Sequence, residues 1–150
     1  MEKNKVDLLH AKITESIIGA FYLVYNELGY GFLEKVYIEA LVRVLRKLGH
    51  KVDREILVPV EFFDEVIALQ RLDLLVDDKV VVEVKSTRDL VVADHRQLRS
   101  YLSGTRLEVG LLLHFGHEAK FYRSVCTNRR GRKSESAGSA ESAGSASPTA

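Results

Sequence analysis

Asp73, Glu83 and Lys85 lie in the stretch Gln70 to Lys85, where the neighbouring strand positions are filled by leucine and valine. Two carboxylates and an amine on one hairpin are the parts of a hard-cation site beside a group able to act on water. Charged residues make up 29% of the chain, so residue types alone decide little and strand parity decides more. Side chains alternate faces along a strand, which sets Asp73 with Leu75 on one face and Leu72, Leu74 and Val76 on the other. If Asp77, Asp78 and Lys79 form a three-residue loop, Val76 faces Val80 and Asp73 falls opposite Glu83, with Cβ atoms about 5 Å apart. Glu83 and Lys85 share that face, leaving Leu72, Leu74, Val82 and Val84 to be buried on the other. Like charges so close repel unless a cation sits between them, and Lys85 or Mg²⁺ could serve. The plainer alternative is a solvated face of an antiparallel hairpin.

The elements that must hold this hairpin are visible in the hydrophobic period. Leu9, Ile13, Ile17, Phe21, Val24 and Leu28 recur at helical spacing, and Gly29 and Gly31 end the run. A second helix starts near Leu33 and carries Val36, Tyr37, Ala40, Leu41, Val44, Leu45 and Leu48, with Gly49 as its stop. From Val52 the period becomes two through Ile56, Val58 and Val60, and Pro59 marks an edge or a strand end. A turn near Asp64 and Glu65 leads into the hairpin. A third helix runs from about Val92 to Ser103, Val109 to Phe115 reads as a buried strand, and Ala119 to Val125 as a last strand. The order is α, α, β, β, β, α, β, β.

Composition bounds the answer from outside. With 150 residues, 46% of them hydrophobic, the chain suits one α/β domain with a real core. The longest apolar stretch, Ile17 to Tyr25, is too short to span a bilayer, and the opening Met-Glu-Lys-Asn-Lys does not read as a cleavable signal. The lone Cys126 excludes an intramolecular disulfide framework and a cysteine-built zinc site. These features predict a soluble, cytoplasmic protein. His95, His114 and His117 lack metal-ligand spacing, and His10 and His50 fall near helix ends, so all five histidines read as structural or solvated. No glycine-rich phosphate loop, Ser or Cys nucleophile motif or dinucleotide fingerprint is present.

The end of the chain has another character. Arg129, Arg130, Arg132 and Lys133 are followed by Glu-Ser-Ala-Gly-Ser-Ala twice over, from Glu135 to Ala146. Nothing there is large and apolar enough to bury, so 127–150 is expected to be a disordered Ser/Ala/Gly-rich tail and 1–126 the domain. Removing the tail's four basic and two acidic residues from the chain's 22 and 21 leaves 18 basic and 19 acidic residues. A balance so even argues against coating nucleic acid nonspecifically.

Helix, three-stranded meander, helix, strand is the core of the PD-(D/E)XK nucleases, whose metal ligands sit on the second and third strands. Asp73 and Glu83-Val84-Lys85 occupy those strands. Gly31-Phe32-Leu33-Glu34-Lys35-Val36-Tyr37 resembles the signature of the GxxExxY protein family, a bacterial and archaeal branch of that superfamily. Asn26-Glu27-Leu28-Gly29, Arg71-x-Asp73, Gln97-Leu98-x-x-Tyr101-Leu102 and Val109-Gly110-Leu111-Leu112 add to the resemblance, which covers most of residues 8 to 125. Two positions depart from it. Asp94 stands where the family usually has a histidine, and His114 where it usually has an asparagine.

The resemblance implies a restriction-endonuclease-like fold, α-β-β-β-α-β with an extra N-terminal helix and a mixed central sheet. It implies a Mg²⁺-dependent site, with Mn²⁺ as the other candidate ion, that hydrolyses phosphodiester bonds of nucleic acid. Asp73, Glu83 and the Val84 carbonyl would hold the ion, Glu34 would join them directly or through water, and Lys85 would orient or deprotonate the attacking water. From local sequence alone, Glu34 reads first as a helix-dipole residue, and Lys85 equally as an ion-pair partner of Asp73 or Glu83. Gln97 and Tyr101, four apart on one helix face, could hold a water or phosphate oxygen, and Tyr37 reads as a packing residue whose hydroxyl bonds to the site. Two other readings stand beside the enzyme. One is a catalytically silent module that binds nucleic acid or protein on the same fold; the other is a subunit that homodimerises through its first helix. The complete set Glu34, Asp73, Glu83 and Lys85 favours the enzyme.

Overall fold

The computed structural model describes residues 9–127 and follows the element order that the periodicities predict. The elements are α1 (Ala11–Leu28), α2 (Glu34–Lys47), β1 (Val52–Phe62), β2 (Glu65–Val76), β3 (Val80–Lys85), α3 (Val92–Gly104), β4 (Val109–Phe115) and β5 (Ala119–Val125). Apart from Thr127, the tail 127–150 lies outside the described residues, as do the first eight residues of the expected domain.

The five strands form one sheet in the order β1-β2-β3-β4-β5, with β3 and β4 parallel and every other neighbouring pair antiparallel. Parallel strands need a long crossover, and α3 provides it. Helices therefore cover both faces of β3 and β4, which is why both strands are almost wholly buried and nearly continuous in apolar residues. At the sheet's edge, β1 accommodates Pro59, since an edge strand has one side with no ladder to satisfy.

One layer is α1 and α2, whose Ile17, Phe21, Leu41 and Leu45 pack on Leu74, Val82, Val84, Leu111 and Leu113. The other is α3, whose Leu98, Tyr101 and Leu102 pack on Leu72, Val81 and Leu112. Close approach of α3 depends on Gly110, because a Cβ there would stand 2.7 Å from Leu98 Cδ1. The β2–β3 loop is strapped to the opposite helical layer. Asp77 accepts the Lys51 N–H at 2.9 Å and lies 2.6 Å from His50 Nδ1, while His50 Nε2 lies 2.7 Å from Ser16 Oγ.

Leu72 corrects the parity reading. It is fully buried, but in the α3 layer rather than with Leu74, Val82 and Val84 beneath α1 and α2. The cause lies across the ladder. Glu55 has φ +50°, and the pairing steps from Arg54↔Leu74 to Ile56↔Leu72 around it. A non-glycine residue in the left-handed region breaks the regular pleat, so the even-numbered positions change layers there: Val52 packs under α1 and α2, Val58 under α3.

Candidate active site

The pairing Leu74↔Val82 carries Asp73 next to Glu83 on the face beneath α3. Asp73 Oδ2 accepts the Val84 N–H at 2.8 Å, which fixes the first carboxylate against the strand that bears the second. Glu83 is 4% exposed. Its Oε1 lies 3.8 Å from Lys85 Nζ, and its Oε2 is buried with no hydrogen-bond partner. A charged oxygen in that position carries its full desolvation penalty unless a proton or a cation meets it.

Lys85 is also 3.8 Å from Asp94 Oδ1 on α3. The other Asp94 oxygen accepts the Val91 N–H at 2.9 Å, satisfying an orphan donor where the helix begins. One residue therefore caps α3 and holds the lysine. The direct pairing of Lys85 with Asp73 that the sequence left open is absent from the ion pairs, which run to Glu83 and Asp94.

Burial pushes the Glu83 carboxyl up to about 8, helped by the charges of Asp73, Glu34 and Asp94 and opposed by Lys85. Asp73 is also raised, chiefly by burial, with the Val84 N–H pulling the other way and the Glu34 charge adding to the rise. Two carboxyls that resist ionising together form a coupled pair. The Tyr101 hydroxyl is raised by its burial and by Glu83.

The remaining residues come from different directions. Glu34 is the first residue of α2, and its charge reaches both carboxyls. Among the described residues no three His, Cys, Asp or Glu side chains cluster tightly enough to hold an ion by themselves, so Glu34 does not close a three-carboxylate cage. Gln97 Nε2 donates to the Tyr101 hydroxyl at 2.7 Å, and that hydroxyl donates to the Arg71 carbonyl at 3.1 Å, beside the strand position of Asp73.

Tyr37 is a correction. Its ring is fully buried against Phe115, and its hydroxyl donates to the Gly29 carbonyl at 2.7 Å and accepts the Phe32 N–H at 3.2 Å. It packs in the α1–α2 layer, across the sheet from the carboxylates, and so braces the loop that presents Glu34 instead of bonding to the site. From sequence, Asp94 is noted only as a departure from the family pattern, and Glu55 is not singled out. The local signal at Asp94 is that of a helix start, and Glu55, whose charge contributes to the rise of Asp73, sits in an otherwise ordinary strand.

This donor set suits a hard divalent ion such as Mg²⁺, which takes one or two carboxylates and keeps several waters. Asp73 and the unpartnered Glu83 Oε2 are two such donors, and Val84, next after Glu83 in the chain, gives its N–H to Asp73.

A family model described as the PD-(D/E)XK nuclease superfamily matches residues 11–125, from the first residue of α1 to the last of β5. None of the curated proteins matches. Among solved structures, the crystal structure of SSO0001 is similar in fold, with a TM-score of 0.50 at 21% identity over 70% of this chain. The matched part spans 56% of that protein.

Proposed function

Because the chain belongs to the PD-(D/E)XK nuclease superfamily, we propose that Asp73, Glu83 and Lys85 form a metal-dependent site hydrolysing phosphodiester bonds of nucleic acid. The observation that carries this reading is the buried Glu83 Oε2, a carboxylate oxygen without a partner beside a second raised carboxyl. Gly31 to Tyr37 supports placement in the GxxExxY branch.

Asp73, Glu83 and the Val84 carbonyl are the groups that would hold Mg²⁺ or Mn²⁺, with Glu34 acting through a water. Bound there, the ion neutralises charge that grows on the phosphate during hydrolysis. The chain's own residues do the rest. Lys85, held between Glu83 and Asp94, orients the attacking water on the carboxylate face. Burial beneath α3 keeps bulk water away, which strengthens the field that these charges exert on a phosphate. Gln97 and Tyr101 fix the helix over the strand that carries Asp73. No helix among the described residues is long and apolar enough to cross a membrane, and a cytoplasmic nucleic acid is the substrate we assign.

The test is incubation of labelled DNA and RNA with wild type and Lys85→Ala, in Mg²⁺, Mn²⁺ or EDTA. Cleavage by wild type in a divalent ion, lost in EDTA and in the variant, is the expected result. Binding without cleavage under every condition would favour the silent module.

A further inference from the structure

A cavity lies on the face of the sheet that carries the carboxylates. The registers run Glu83↔Leu112↔Tyr122 and Lys85↔His114↔Lys120, so Tyr122 and Lys120 stand two strands across from the carboxylate and the lysine. At ordinary strand spacing that is about 10 Å. The cavity has a volume of about 370 Å³, and its lining includes Arg88, Lys120, His114 and Tyr122 together with the acidic Asp89 and Glu118. It opens at the carboxyl ends of the parallel pair β3 and β4, where open α/β sheets receive ligands. The first turn of α3 stands between the two places: Asp94 contacts Lys85 on one side, and the His95 ring meets Tyr122 edge-on at 4.7 Å on the other.

We propose that this cavity is a subsite for one unpaired nucleotide of the substrate strand. The inference rests on the nuclease reading of the neighbouring site. Tyr122 is 40% exposed and offers an aromatic surface for a base. Lys120 and Arg88 offer cations for the adjoining phosphate. Their carboxylate partners, Glu118 at 3.7 Å and Asp89 at 3.8 Å, are themselves largely exposed, so these pairs hold the cations weakly against a phosphate. His114 is not among the phosphate ligands, because its Nε2 is committed to the Thr87 carbonyl at 2.5 Å, where it shapes the floor. A base can lie on the Tyr122 ring only when it is unstacked and unpaired, so the subsite selects single strands, frayed ends or extruded bases over intact duplex.

The experiment measures binding by fluorescence anisotropy in Mg²⁺, in a Lys85→Ala background that leaves the probe uncut. The probes are a single-stranded oligothymidylate and a blunt duplex of equal length. Tyr122→Leu is expected to weaken single-strand binding about tenfold and to leave duplex binding unchanged, while Tyr122→Phe keeps both. Lys120→Ala, on an exposed side chain that does not threaten folding, is expected to weaken single-strand binding and lower its salt slope by about one. Equal losses for both probes, or single-strand binding indifferent to Tyr122→Leu and Lys120→Ala, overturns the subsite while leaving the nuclease site standing. Absence of binding to either probe in the parent overturns both.

Discussion

Asp73 Oδ2 accepts the Val84 N–H at 2.8 Å, so the backbone next to Glu83 fixes the very carboxylate that Glu83 repels. Asparagine keeps an acceptor oxygen there and removes the charge; alanine removes both. Without divalent ions, Asp73→Asn is expected to melt at or above the wild-type temperature, having lost the Mg²⁺ response and cleavage. Asp73→Ala is expected to lose about 1–3 kcal/mol through the orphaned N–H. A wild type indifferent to Mg²⁺, with Asp73→Asn clearly destabilised, sinks the metal-site reading.

The raised Glu83 carboxyl gives stability an unusual sign with pH. A group whose folded-state pKa stands above its ordinary value, here about 8 against 4.5, favours the native state most when protonated. Its contribution is full below about 4.5 and is lost as pH rises through about 8. Melting temperatures of wild type and Glu83→Gln in EDTA should therefore separate as pH rises, the variant becoming the more stable. Saturating Mg²⁺ should close the gap, because only the folded state assembles the ligands. Parallel curves in EDTA would remove the electrostatic argument.

Lys85 forms ion pairs with Glu83 and Asp94 and none with Asp73, so the water-orienting role proposed for it can be tested apart from metal holding by Asp73. Lys85→Met is expected to keep or increase the thermal shift given by Mg²⁺, since a competing cation is gone. Cleavage should fall by about 10²-fold or more. A variant that cleaves at the wild-type rate shows that the lysine is only an ion-pair partner.

Gly110 sits where α3 presses closest. Gly110→Ala must displace Leu98, and the expected cost is about 1–3 kcal/mol from overpacking. Chemical denaturation reads that loss. The same shift moves the Tyr101 hydroxyl, to which Gln97 donates, off the Arg71 carbonyl, so activity should fall even where the variant remains folded.

Local pairing made Asp73 and Glu83 readable as neighbours, because a three-residue loop leaves only one register between them. Leu72 could not be assigned that way. Its change of layer depends on a left-handed Glu55 some seventeen residues earlier, and glutamate is not a residue that announces positive φ. Tyr37 shows a second limit. Helical spacing puts it near Glu34, but not on which side of the sheet the helix will lie, and that decides where its hydroxyl goes. Asp94, legible only as a departure from the family pattern, holds Lys85 and caps α3 at once, and the pairing depends on where the helix lands on the sheet.

The turn of the ribbon at Glu55 also partitions it mechanically. Inward of that residue, Leu74, Val76 and Val52 are locked by the core; outward, Leu57, Phe62, Phe63, Val66, Ile67 and Leu69 are exposed. Beyond Val58, which packs beneath α3, the arm is held by strand pairing, so cross-strand partners can be deleted or added between Val60 and Ala68 while Asp73 keeps its place. Arm length is thus a free variable of this fold, a place where recognition can be grafted or trimmed without retuning the chemistry.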